Sequence, residues 1–386
     1  MRLRVRLPEV RPDEYAIPLS CPYGCGGRYF ALHERRRKVL SDPTYNEVKV
    51  RRYKCVTCRR SFRVHPTGVS QHHRSQRLRG IGIMLYVLGL SYGGVVDVLS
   101  AFGWQGSRST IYRDVQAAGE AVARRKPTPR QVQVVSADAT YVLCQGEEVT
   151  VAVALDALAG EVIEVEIVDG ESADALRPFL QRLHDEYGFE VLVSDDQDSY
   201  KVLADEMGLE HSICRAHVNR NVARITGELA QQTTASAQSP PAGVSRTPEE
   251  LLADLEYCQL LIALRPADGE RQLLHLYRHY QAAPAPPKGQ KASVWYRFRL
   301  ALLRWANNWR RLTFDQLWNQ VHESSHQQRL DGTNNAAERA IGCWIKERYR
   351  SMRSYKRRAS VTNLARLIPY LAARPHQPVL AELLAA

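Results

Sequence analysis

The spacing of apolar positions changes several times along the chain, and each change marks an expected element. Between residues 131 and 169, the segments QVQVVSADATYVL, VTVAVALDA and EVIEVEIVD place β-branched residues at nearly alternate positions. Glycine or acidic turns separate them, so three strands in an antiparallel meander are predicted. A helical period follows over 172–187, with Ser172 placed to cap it. A buried strand (FEVLVSDD), a helix over 199–207 and a short strand (LEHSI) complete the order β-β-β-α-β-α-β. That order describes an α/β fold, a mixed sheet with helices on its faces.

On either side of this sheet the period is helical. Residues 78–88 and 92–102 form two apolar helices, 103–107 a glycine-containing turn, and 109–118 a third helix. This is a helix-turn-helix pattern in which Ser107, Arg108, Ser109 and Arg113 would face a DNA major groove, although any three-helix bundle looks similar. The polar, Pro- and Gly-containing stretch 231–249 reads as a flexible loop. Residues 251–318 are helical, apart from the linker AAPAPPKGQKAS, and carry Trp295, Trp305, Trp309 and Trp318. The last three fall at helical spacing, which suits a helical core. DGTNNAAER then opens a long basic helix.

Charge sharpens this picture. The net charge is +12, and it is unevenly placed. Residues 28–63 hold twelve Lys and Arg, and residues 339–358 hold eight against the single acid Glu347. Two basic clusters favour a polyanionic partner, nucleic acid first. The N-terminus has no apolar run, and the longest apolar stretch, 81–90, is too short to span a bilayer. No membrane association is expected. The eight cysteines are not spaced as a disulfide framework, which points to a reducing cytoplasm. Four of them form the pairs Cys21-x3-Cys25 and Cys55-x2-Cys58, the spacing of two knuckles that converge on one tetrahedral zinc ion. Four unrelated buried thiols would not need paired spacing. So small a segment lacks a core of its own, and a metal would supply folding energy.

Three carboxylates stand out. Asp138 lies inside the first strand, where an unpaired carboxylate is costly unless something compensates: a metal ion, a turn or an arginine. Asp195 ends the strand EVLVSD, where α/β sheets tend to bind ligands, but Asp196 beside it is a rival and both could belong to a solvated acidic loop. Glu338 has two readings. Asn335-Ala-Ala-Glu338 resembles a capping box, yet capping leaves Thr333, Asn334 and Asn335 together unexplained. Converging carboxylates bind hard cations, and a pair of Mg²⁺ (or Mn²⁺) ions serves phosphodiester chemistry.

Together, SADATY, VLVSDD, SICRAHVNRNV and TNNAAER resemble the DDE transposases of bacterial insertion sequences, relatives of the Mutator-like transposases. Cys214-x2-His217 is similar to the C/D-x2-H signature found there between the second Asp and the Glu. The resemblance implies an RNase H-like mixed sheet with an all-helical insertion, preceded by a zinc ribbon and a helix-turn-helix. It implies Asp138, Asp195 and Glu338 as catalytic metal ligands for two Mg²⁺ (or Mn²⁺) ions, although relatives often have Asp-Gly where this chain has Asp195-Asp196. Cys214, His217, Asn334 and Asn335 would shape the site, with Cys214 and His217 either local in role or half of a second zinc site. Lys346, Arg350 and Arg353 would join Arg108, Ser109 and Arg113 on DNA.

The expected divisions are 1–72 (zinc ribbon on Cys21, Cys25, Cys55 and Cys58), 73–127 (helix-turn-helix), 128–218 (first part of the core), 219–330 (helical insertion) and 331–386 (the third acid and its helix). The expected partner is double-stranded DNA, at transposon ends and targets. Synapsis of paired ends would require a homodimer or higher oligomer at the bacterial nucleoid. A transposase-derived DNA-binding protein without catalysis and an RNase H-like nuclease are the competing readings.

Overall fold

The computed structural model describes residues 3–125, 132–236, 239–322, 329–352 and 354–385. The chain is a mixed α/β protein. Its N-terminal part is built on β1 (Arg11–Tyr15), β2 (Phe30–Val39), β3 (Glu47–Cys55), β4 (Ser61–Val64) and β5 (Pro66–Thr67). β2, β3 and β4 make an antiparallel three-stranded sheet, and β1 pairs with β5. The apolar cluster beneath them has only Val10, Leu40, Val48 and Val69 fully buried.

Three helices follow: α1 (Gln76–Val87), α2 (Tyr92–Ala101) and α3 (Arg108–Arg124). Ser75, Ser91 and Ser107 each accept an amide hydrogen bond from the first turn that follows, so every start is set locally. α3 runs six residues past the expected end at 118.

The main sheet contains β6 (Val134–Cys144), β7 (Glu147–Asp156), β8 (Glu161–Val168), β9 (Val191–Ser194) and β10 (Glu210–Ile213), in the spatial order β10-β9-β6-β7-β8. β6, β7 and β8 form the expected antiparallel meander, while β9 and β10 run parallel to β6. On one face lie α4 (Ala173–Tyr187), capped by Ser172 as expected, and α5 (Asp198–Glu206). On the other face one continuous core takes in α1, α2, α3 and the C-terminal helices, so the three N-terminal helices are packed into the sheet's own core.

Between β10 and the last segment the chain makes a helical excursion: α6 (Arg215–Ser236), α7 (Pro248–Leu264), α8 (Gly269–Tyr280), α9 (Val294–Asn307), α10 (Trp309–Leu312) and α11 (Phe314–Val321). Trp295, Trp305 and Trp309 share the core of this excursion, whereas Trp318 and Phe314 pack on Val134, Val191 and Val193 of the sheet. The three tryptophans at helical spacing lie on three helices, because the chain breaks at Asn308 and again at Thr313. The excursion leaves and returns at one point: Arg215 N–H donates to the Gly332 carbonyl at 2.8 Å. The last segment is α12 (Asn335–Ala340), a π-helical stretch (Ile341–Lys346), α13 (Glu347–Met352), α14 (Arg358–Ala372) and α15 (Val379–Ala385). No helix among the described residues is long and apolar enough to cross a membrane.

Candidate active site and metal centres

Strand register brings the first two acids together. Ser136 of β6 pairs with Val193 of β9, both strands running the same way. Continued two residues past this last pair, the register sets Asp138 beside Asp195 just beyond the end of β9, at about the 5 Å spacing of strands, and the charge of Asp195 is felt at Asp138. β10 continues the line: Ile213 pairs with Ser194, so Cys214 comes level with Asp195. His217 follows on the first turn of α6, and Glu338 on α12 comes within 4.8 Å of the Cys214 sulfur and the His217 ring, its charge still felt at Asp138.

Hydrogen bonds fix the last approach. Asn334 is fully buried at the start of α12. Its side chain accepts from Ser136 Oγ, its Nδ2 donates to the Ala137 carbonyl at 3.3 Å, and its N–H donates to Cys214 Sγ at 3.1 Å. One residue thus ties the third acid's helix to β6 and to β10. Asn335 is exposed and its N–H meets Thr333 Oγ1 at 3.4 Å. The capping-box reading is overturned: the helix cap is Asn334, with no side-chain capping bond, and the Glu338 carboxylate instead lies 3.3 Å from His217 Nδ1 and 3.5 Å from Arg220 Nη2.

The two aspartates have His217 nearby, whose charge pulls on both, but little else to offset them. Asp138 accepts only the neighbouring Ala139 N–H at 2.8 Å, and Asp195 only that of Gln197 at 3.1 Å. Neither has a Lys or Arg partner among the described residues. Burial raises the Asp138 carboxyl to about 7, against the pull of the Ala139 amide and with a further push from Asp195 and Glu338. Burial also raises Asp195, helped by Glu171 and Asp196. Asp196 differs: Lys201 Nζ lies 2.7 Å away and Arg304 3.4 Å. The Cys214 thiol is raised by burial but brought below its ordinary value by His217 and the Asn334 amide; His217 is raised, chiefly by that sulfur. Two buried carboxylates without a Lys or Arg partner fit a divalent cation, and Asp138 and Asp195, with Glu338 turned from His217 and Arg220 toward them, are the residues that could hold one.

Two neighbours escaped sequence reading. Glu171 receives a hydrogen bond from Gln197 at 2.6 Å, and its charge is felt at Asp195. Tyr200 is buried, with its hydroxyl unpartnered among the described residues, where the charges of Asp138, Asp195 and Glu171 push its pKa up after burial itself. Tyr200 looks like an ordinary core residue of α5, and only the fold turns it toward the acids.

No family model matches the chain, and no curated protein does. Solved structures do match, and two of them align with about a third of the chain. One is the HTLV-2 integrase catalytic core domain in complex with magnesium, at 15% identity over 34% of this chain and 86% of that one, with a TM-score of 0.19. The other is the catalytic core domain of BIV integrase, at 16% identity over 33% and 99%, with a TM-score of 0.19.

The N-terminal cysteines converge as their spacing predicts. Cys21 and Cys58 sulfurs lie 3.7 Å apart, as do those of Cys25 and Cys55, and all four are within 4.8 Å of one another. A tetrahedron with Zn–S bonds of about 2.3 Å has edges of about 3.8 Å, so the four could hold zinc. The Cys58 and Thr57 amides lower the Cys55 thiol to about 6, while burial raises Cys21 to about 12. A side chain at Gly27 would sit 2.7 Å from Cys55 Sγ, which is why the knuckle needs glycine there.

The basic residues divide. Arg108, Ser109 and Arg113 are exposed on α3, and Lys346 and Arg350 on the C-terminal helices. Arg353 lies outside the described residues. Arg348, in the same cluster, is buried over the Tyr86 ring and donates to the Leu90 carbonyl at 3.1 Å, so it is structural. A cleft of about 1110 Å³ opens between the three-stranded sheet, α3 and α15. Arg36, Lys38, Arg63, His72 and Arg124 line it, and no acid does among the described residues.

Proposed function

We propose that this chain is a DDE-type DNA transposase with an RNase H-like core, binding the ends of a mobile element and cutting and joining DNA at Asp138, Asp195 and Glu338. The observation that supports this reading is the β6–β9 register, which, continued two residues past its last pair, sets Asp138 beside Asp195 where neither has a Lys or Arg partner among the described residues. The spatial order, a first strand flanked by its antiparallel meander and by two parallel strands, agrees with the RNase H-like arrangement that the motifs imply.

Two Mg²⁺ (or Mn²⁺) ions held by the three acids would supply activation of the attacking oxygen and stabilisation of the leaving one. The chain's own residues do the rest. Burial raises the Asp138 carboxyl to about 7, so a cation held there would favour loss of its proton. Asn334 holds Glu338's helix against β6, and Ser136 holds Asn334. Lys346 and Arg350, with Arg353 beyond them, bind phosphates; Arg108, Ser109 and Arg113 enter the groove, and the zinc-bound ribbon presents its basic strands beside them. Transposition pairs two ends, so the acting form is a dimer or larger.

The test is cleavage and joining of a duplex carrying the element's end, with Mg²⁺ or Mn²⁺. Wild type should cut and transfer; Asp138→Asn should bind DNA and do neither. Cutting without joining would mean a nuclease, binding without cutting a DNA-binding derivative. Normal cutting by Asp138→Asn would remove these acids from the mechanism.

A further inference from the structure

A second cluster of metal-binding side chains shares a residue with the acids. Cys214 Sγ, a His217 ring nitrogen and a Glu338 carboxylate oxygen all lie within 4.8 Å of one another. Cys214 and His217 are three residues apart across the start of α6, the spacing that puts two ligands on one helix face. Nδ1 of His217 is closed off from solvent and stands 3.3 Å from Glu338 Oε1, yet no well-directed hydrogen bond joins it to a partner among the described residues. The Asn334 amide donates to Cys214 Sγ at 3.1 Å, the kind of outer contact that fixes a coordinating sulfur. Arg220 also lies against Glu338, and its side chain is 64% exposed and can turn to solvent.

We propose that Cys214, His217 and Glu338 form a second zinc site, distinct from the four-cysteine one, and that zinc bound there competes for Glu338 with the ions of the acid site. Thiolate, imidazole and carboxylate together make a three-ligand zinc set with one open position. A soft sulfur ligand selects zinc over Mg²⁺. Zinc drawing Glu338 toward α6 takes one carboxylate from Asp138 and Asp195, so excess zinc inhibits cleavage; this second clause rests on the transposase reading.

Metal analysis of the full-length chain after zinc loading should give about two ions, one per site. Cys214→Ser and His217→Asn should each hold about one. His217 is partly exposed, so its variant carries the test if the buried Cys214→Ser fails to fold. One zinc in wild type, or two in both variants, overturns the site. In the Mg²⁺ cleavage assay, zinc should inhibit wild type at a concentration at least about tenfold below that needed for His217→Asn, each measured against its own zinc-free rate. Equal sensitivity overturns the competition. A chain that holds two zinc ions but cuts no DNA sinks the transposase reading and leaves the zinc site standing.

Discussion

Asp195 and Asp196 are adjacent in the chain and have opposite surroundings. Asp196 is held by Lys201 and Arg304, which offset its charge; Asp195 faces the gap beside Asp138 with only an amide to meet it. Asp195→Asn is therefore expected to abolish cleavage, whereas Asp196→Asn should keep cutting within about tenfold and lose about 1 kcal/mol of stability in denaturant titrations. Sequence could not separate the two, because Lys201 and Arg304 reach Asp196 only through the fold. Asp138 was legible, since a strand interior gives a carboxylate few other uses. Its titration has a consequence of definite sign. Unfolded, it ionises near 3.8; folded and without metal it keeps its proton to about 7. Stability is lost as pH rises between those values, so metal-free Asp138→Asn should be more stable than wild type at pH ~8, by roughly 2 kcal/mol in chemical melts. His211 runs the other way. It is buried against Ser194 Oγ at 2.9 Å, and burial depresses its pKa from 6.5 to about 3. The unfolded chain takes up a proton first, so stability falls as pH drops below about 6.5, by on the order of 2 kcal/mol at pH ~4.5, and His211→Gln should flatten that slope.

Helix ends and contacts decide what could be read at the level of elements. The serine cap placed α4 correctly, because the signal is local. α3 was cut short in the sequence reading, at the residue before Gly119. That glycine does not stop the helix; a Cβ there would lie 2.5 Å from the Asn363 side chain and 2.6 Å from its carbonyl, so Gly119 lets α14 press against α3. Gly119→Ala should cost about 1–3 kcal/mol, seen as a lowered Tm, despite alanine's better helix propensity. The π-helical stretch after α12 left no pattern in the apolar spacing. Asn334 was visible as one of several polar residues, but its three contacts depend on β6 and β10 arriving from elsewhere. Asn334→Ala strands Ser136 Oγ and the Ala137 carbonyl, at a cost of about 1–3 kcal/mol.

For the molecule as a whole, the order β-β-β-α-β-α-β and the helical excursion were legible, while the way the parts pack was not. The helix-turn-helix looked separable from the core, yet α3 and α14 share apolar surface under the sheet. The ribbon, with its four-residue buried cluster, depends on its cysteines instead. A strong chelator should therefore unfold residues 1–72 while the sheet's hydrogen-exchange protection persists. Basic surfaces on α3, on the C-terminal helices and in the cleft beside the ribbon imply a salt-dependent grip on DNA. Replacing Arg113 or Arg63 with alanine should each reduce the slope of log affinity against log salt by about one.

The single hydrogen bond where the excursion leaves and rejoins the core also bears on how such a chain can change over time. Because residues 215 and 332 are already neighbours, lengthening or shortening the helices between them adds almost nothing to the entropy of closing the core. α10 and α11 are bound to the sheet and must stay, but the outer helices α7, α8 and α9 pack mainly on one another and on α6. They form a part that descent can enlarge, trim or exchange while Asp138 and Asp195 keep their register.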